Sequence, residues 1–137
     1  MQVNPYLTFD GQCEAAFTFY AQCLGGEIVA MSRFGETPGC GDVPSDFRDK
    51  IMHARLAAGD QLLMGSDCIP DQPYEGVKGC SVALNVDATA EAERIFDALA
   101  ENGTVQMPLE PTFWAARFGM LVDQFGVPWM VNCEADR

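Results

Sequence analysis

The sequence predicts an α+β fold made of two βαβββ modules, with a ligand cavity where the two copies meet. Three observations carry this. The segment Leu7-Thr8-Phe9-Asp10, followed by Glu14-Ala15 and Phe19, recurs as Leu84-Asn85-Val86-Asp87, followed by Glu91-Ala92 and Phe96. The offset is a constant 77 residues and continues through Ala21/Ala98 and Gly26/Gly103, seven identities in a twenty-residue window without a gap. A period this long, present twice, describes duplication of a half-domain and not a solenoid of short repeats. Within each copy, period-two and helical patterns follow one another in the order strand, helix, three strands. A stretch rich in proline and glycine, Asp67 to Lys78, separates the copies.

In the first copy, Pro5 to Phe9 alternates and breaks at Asp10-Gly11. Glu14 to Leu24 then sets Ala16, Phe17, Tyr20 and Leu24 at helical spacing, and Gly25-Gly26 ends the helix. Glu27 to Phe34 reads as a strand, and Gly35 to Asp49, with Pro38, Gly39, Gly41 and Pro44, as a loop or lid. Lys50 to Ala58 alternates, Gly59-Asp60 turns, and Gln61 to Met64 pairs back as a hairpin. In the second copy, Cys80 to Val86 is the strand and Ala90 to Glu101 the helix. Thr104 to Met107 follows, then Phe113 to Val122 and Val127 to Asn132 as a linked pair. The expected organisation is a first module over residues 1–68, a linker over 69–78 and a second module over 79–137, integrated as one domain.

Composition bounds the function classes. The chain has 137 residues, 48% of them hydrophobic and 20% charged, which is ordinary for a globular protein. Its apolar runs are short and interrupted, so no membrane span is expected. Met1-Gln2-Val3-Asn4-Pro5 is already strand-like, with no basic and apolar leader, and points to a cytoplasmic protein. A formal net charge of −12 repels phosphate backbones and anionic lipid, so neither nucleic acid nor membrane is an expected partner. An anionic ligand would have to be met by one of only eight lysines and arginines. Six cysteines contain no C-x-x-C pair, which argues for reduced thiols and against a structural zinc site. The chain also lacks a G-x-G-x-x-G loop, a G-x-x-x-x-G-K-[ST] loop and a G-x-S-x-G elbow.

Strand parity assigns faces. Leu7 and Phe9, with Val82, Leu84 and Val86, form the apolar set expected under the helices. The opposite set, Asn4, Tyr6 and Thr8 with Ser81, Ala83 and Asn85, is too polar for a dry core and is expected to line the cavity. In the Lys50 strand, Met52, Ala54 and Leu56 are assigned to the helix side, and Ile51, His53 and Arg55 to the cavity.

The phrases NPYLTFDG, AFTFY, GGEI, DKIMHARL, LLMGSD, MPLEPTFWAARFGMLVDQFGVPW and VNC, spread over nearly the whole chain, resemble the vicinal oxygen chelate superfamily of glyoxalases, bleomycin-resistance proteins and dioxygenases. More narrowly they resemble its PhnB-like branch. The resemblance implies a curved, half-open sheet completed by dimerisation. It also implies, in metal-dependent relatives, four metal ligands from the first and last strands of each module. Those positions fall at Asn4 (or Pro5), at Leu63 or Met64, at Ser81 and at Met130. None is His, Asp, Glu or Cys, so the usual metal site is expected to be missing and no cofactor is assigned.

His53, the single histidine, is the candidate catalytic residue, as a general base or proton donor beside Arg55. Tyr6 is a hydrogen-bond donor on the same face, Arg117 a bidentate anchor for a carboxylate or phosphate, and Trp114 a stacking wall for a flat ligand. Ion pairing of Arg117 with Glu110 or Asp123, and capping of the turn into the linker by Asp67, are the structural readings beside these. The expected function is binding of a small polar or aromatic molecule in the inter-module cavity of a homodimer, without the usual metal ligands. The alternatives are a metal-dependent glyoxalase- or dioxygenase-like enzyme with non-standard ligands, and a drug-sequestering resistance protein.

Overall fold

A carboxylate buried at the end of a strand organises the first half of the chain. The computed structural model describes residues 1–37, 44–69 and 73–134, and divides the chain into two units, Met1–Gly76 and Val77–Arg137. In the first unit, β1 (Tyr6–Phe9) leads into α1 (Cys13–Leu24), then β2 (Glu27–Arg33), β3 (Ile51–Ala58) and β4 (Gln61–Asp67). The sheet order is β1-β4-β3-β2, parallel between β1 and β4 and antiparallel elsewhere. The second unit repeats this with β5 (Val82–Val86), α2 (Thr89–Ala100), β6 (Thr104–Glu110), β7 (Ala115–Val122) and β8 (Pro128–Glu134), in the order β5-β8-β7-β6. Two βαβββ modules of mixed sheet are therefore present, as the sequence predicts. The expected Gly35–Asp49 loop contains two short 3-10 turns, Phe34–Glu36 and Ser45–Phe47, and its residues 38–43 lie outside the described ones.

Each helix covers one face of its own sheet. Cys13, Ala16, Phe17, Tyr20 and Cys23 are the buried stripe of α1 and recur at helical spacing. Phe17 meets Phe9 edge-on at 6.1 Å between ring centres, with Tyr20 tilted against both. Each such ring contributes roughly 1.5–3 kcal/mol on burial. Gly65 in β4 makes the close approach possible, since a Cβ there would lie 2.9 Å from the Phe17 ring and 2.8 Å from the Leu7 carbonyl oxygen.

The two halves do not align throughout at one offset. Gly26 and Gly103 are equivalent: each backs onto a carbonyl of the third strand, Ala57 or Val122, and the strands after them start on those same partners. The helices are displaced by one residue relative to this frame. Three residues (Asp10, Gly11, Gln12) precede α1 and two follow it, whereas two (Asp87, Ala88) precede α2 and three follow it. Ala16/Ala92, Tyr20/Phe96 and Cys23/Leu99 are thus the matching buried pairs. The identities Ala15/Ala92 and Phe19/Phe96 join residues of unlike environment, Ala15 being exposed and Phe19 half-buried.

Parity is correct for Leu7, Phe9, Ala54 and Leu56, all buried. Ile51 is a correction: it is 1% exposed and belongs to the core. A bulge between Ser32 and Arg33 shifts the β2–β3 register there, breaking the alternation that assigned Ile51 to the open face.

Asp67 is a second correction. Its side chain is 3% exposed, and its described partners lie on α1 and β3, away from the linker. Oδ1 accepts the backbone N–H of Cys13 at 2.9 Å and Oδ2 that of Ile51 at 2.8 Å. Helix α1 has no side-chain cap of its own at Gln12, so the carboxylate from β4 takes that role and faces the positive end of the helix. In the second module Asp123, 4% exposed, serves a different element. It accepts the N–H groups of Phe125 and Val127 and the indole N–H of Trp129, closing the β7–β8 turn.

The five described cysteines are free thiols, with Cys13, Cys23 and Cys133 buried and Cys80 exposed. Burial raises the Cys13 thiol pKa far above the ordinary range, and the charges of Asp67 and Glu14 raise it further. Burial, then the adjacent Asp10 carboxylate, raises that of Cys68.

Two outcomes follow. Asp67→Asn leaves one buried N–H without its acceptor and should lower stability by about 2–3 kcal/mol, read from the urea midpoint. The folded state holds the Cys13 proton that the unfolded chain releases above a pH of about 8.5. Stability is therefore complete below that pH and falls as pH rises beyond it, less steeply in Cys13→Ala.

Candidate functional site

The face of the first sheet turned away from α1 is assembled by strand register. Tyr6 pairs with Met64, Met64 with Arg55, and Arg55 with Ala30. At the next outward position along these strands, Thr8 pairs with Ser66 and His53 with Ser32. Their neighbours Leu7, Gly65 and Ala54 form the opposite, helix-covered side. The open face is therefore hydroxyl-rich and carries one imidazole and one guanidinium.

Tyr6 and His53 form a pair. The Tyr6 hydroxyl lies 3.1 Å from His53 Nδ1, and the rings stack 5.7 Å apart with 24° between planes. A hydroxyl donating to Nδ1 leaves the ring proton on Nε2; the other tautomer makes Nδ1 the donor and Nε2 an acceptor. In both, Nε2 is the nitrogen without a hydrogen bond among the described residues. Arg55 is exposed and has no hydrogen-bond or ion-pair partner among the described residues. Arg33, by contrast, is committed to Glu14 at 2.8 Å and to the Asp49 carbonyl.

Thus three of the five predicted site residues, Tyr6, His53 and Arg55, share one face. The other two, Trp114 and Arg117, lie in the second module on different faces. Arg117 pairs with Cys133 in register, on the side covered by α2, and its Nε reaches Glu93 of that helix at 3.4 Å. Its Nη1 donates to the Ala116 carbonyl at 2.7 Å. The partner is neither Glu110 nor Asp123, since Glu93 projects from the helix over the strand. Trp114, 49% exposed, meets Phe118 at 5.4 Å in a T-shaped contact, and Phe113, 96% exposed, meets Trp114 at 4.8 Å.

Phe118, Met120 and Asn132, which the sequence reading assigned to no face, complete the second of these faces. Phe118 pairs with Asn132 and Asn132 with Asn85 on the open side of the second sheet, where Asn132 Nδ2 donates to Asn85 Oδ1 at 3.2 Å. Met120, Met130 and Ala83 pair across the adjacent position. The parity that picked out Asn85 extends to Asn132, two residues from Met130 on β8, but only register shows that the two amides meet.

The metal positions implied by the resemblance can be tested on this geometry. Leu63 is buried on the α1 side, leaving Met64 as the outward residue of β4, with Met130 its counterpart on β8. A primary amide, a hydroxyl and two thioethers do not suit the divalent cations that His and Glu sets hold. Among the described residues no three His, Cys, Asp or Glu side chains are grouped to bind a metal. The residues present do not fit the metal centre of metal-dependent relatives.

Comparison with known proteins places the fold. The model for the Glyoxalase/Bleomycin resistance protein/Dioxygenase superfamily matches residues 2–131. Protein YjdN of Escherichia coli (strain K12) is 37% identical over 140 residues, covering 96% of this chain and 95% of its own. The crystal structure of protein PA1353 from Pseudomonas aeruginosa is 61% identical, with a TM-score of 0.92 and 99% of each chain covered. A PhnB protein from Bacillus cereus, described as a putative 3-demethylubiquinone-9 3-methyltransferase, is 25% identical with a TM-score of 0.79, over 97% of this chain and 99% of its own. No helix among the described residues is long and apolar enough to cross a membrane. Sequence, topology and these likenesses agree: the chain belongs to the glyoxalase/bleomycin resistance/dioxygenase superfamily and is PhnB-like within it.

Proposed function

We propose that this protein binds a small organic anion on the open face of its first sheet, with Arg55 as the charge anchor and the Tyr6–His53 pair as the polar contact, and without a metal. The observation that carries this is Arg55, without a partner among the described residues, beside a hydrogen-bonded tyrosine and histidine in a chain of net charge −12. Long-range attraction of an anion is unfavourable for such a chain, so recognition rests on short-range contacts. A guanidinium offers two parallel donors to a carboxylate or phosphate. His53 Nε2 can donate to a ligand oxygen or take a proton from it, which makes His53 the group for any proton transfer. Thr8, Ser32 and Ser66 supply neutral donors around it. Arg117, tied to Glu93 on the helix side, has no part in this reading.

The protein is further proposed to be cytoplasmic and a homodimer. Support for the dimer comes from β6, an edge strand exposed over nearly its whole length with Val105 45% and Met107 44% exposed.

Because His53 is the single histidine, its ring protons give an unambiguous NMR reporter. Benzoate and inorganic phosphate are the probes, with benzyl alcohol as the neutral match for benzoate. At least one anion should shift the His53 signals saturably while benzyl alcohol does not, and Arg55→Gln should weaken that binding roughly tenfold or more. Equal binding of the alcohol, an unchanged affinity in Arg55→Gln, or no response to either anion sinks the proposal.

A further inference from the structure

The open face of the second sheet carries an unsatisfied acceptor. Asn132 Oδ1 is enclosed and has no hydrogen-bond partner among the described residues, although Nδ2 of the same amide donates to Asn85. Asn132 lies on β8, a central strand flanked by Asn85 of β5 and Phe118 of β7, and faces away from α2. An enclosed carbonyl oxygen without a donor is costly, and folded chains rarely keep one without a use. An apolar residue of like size at this position would remove that cost, since Met120 and Met130 already face the same side.

The surroundings specify what a partner would look like. Phe118 stands next to Asn132 in register, and Trp114 packs its edge against Phe118. Trp114 and Phe113 are the exposed members of this cluster, at 49% and 96%. Both sit in the bend between β6 and β7, outside any strand, so these rings are not held in a ladder. A flat ligand gains aromatic and thioether contacts from Phe118, Trp114 and Met120 and meets one acceptor at the sheet.

From the orphaned amide oxygen beside this aromatic cluster, we infer that the second module holds its own ligand subsite, one that takes a planar aromatic group bearing a single O–H or N–H donor, which Asn132 Oδ1 accepts. Admission requires the side chains that enclose Oδ1 to give way, because the atom is buried. The subsite contains no ionisable side chain among these residues and is independent of the anion proposal for Arg55.

Phenol and anisole test it, because they share size and ring but anisole has no donor. Binding is followed by Trp114 fluorescence, with Trp114→Phe identifying the contribution of the buried Trp129. Phenol should bind roughly threefold to tenfold more tightly than anisole, although anisole is the more hydrophobic. In Asn132→Leu the preference should vanish, while the urea midpoint stays unchanged or rises. Trp114→Ala should weaken both probes, read by ligand NMR, and leave their ratio intact. Should Asn132→Leu fold poorly, Asn132→Ser serves in its place, since its shorter side chain also withdraws the acceptor. Equal affinity for the two probes, a phenol preference that survives loss of the amide, or binding of neither probe overturns the assignment.

Discussion

The first module depends on one buried carboxylate. Asp67 ends β4, yet its two oxygens bind the first residue of α1 and the first residue of β3, which are 54 and 16 positions away in sequence. An ionised group out of water is costly, and here the cost is offset by two charge-assisted backbone bonds and the facing end of a helix. The contact fixes where α1 begins, because no side chain near Gln12 caps it. That start places Phe17 over Gly65 and so sets how closely the helix approaches the sheet. It also brings Ile51 inward, after which β3 resumes its alternation and delivers His53 and Arg55 to the far side.

The two halves keep a common frame and differ in what the frame displays. At the outward positions nearest the sheet centres, Tyr6, Met64 and Arg55 in one module stand where Ala83, Met130 and Met120 stand in the other. One face is ionisable and rich in hydroxyls; the other is thioether, amide and aromatic. Met64 and Met130 hold equivalent places in the two modules, and a thioether is a poor ligand for hard or borderline divalent ions. A shared scaffold does not by itself assign a site, so the chemistry has to be argued from the side chains on each face.

Much of the architecture was legible. Period-two runs, helical spacing with a glycine stop after the first helix, and the recurrence of Leu7 at Leu84 were enough to order ten main elements, because alternation and helical spacing are local consequences of burying one face. The errors fall where a longer-range contact overrules local pattern. The repeat suggested that Ala15 matches Ala92, but shortening one helix entry by a residue and lengthening its exit turns the helix by about 100° relative to the match. Parity failed at Ile51 because a bulge inserts a step that no composition rule marks. Asp67 looked like a turn residue because its partners are distant in sequence.

For the candidate site, the sequence by itself determined the inventory: one histidine, few cations, a polar strand face at Tyr6 and Thr8, and no His, Asp, Glu or Cys where chelating relatives need them. Residue type and strand parity suffice for that, being properties of single positions. Tertiary structure decided the partnerships. It joined Tyr6 to His53, drew Arg117 to Glu93 and set Asn132 against Asn85, and among the described residues it left Arg55 unpaired and one Asn132 oxygen unsatisfied. Hydrogen bonds and ion pairs depend on angstrom-scale register between strands and on which residue the covering helix presents, and neither is encoded within a local window.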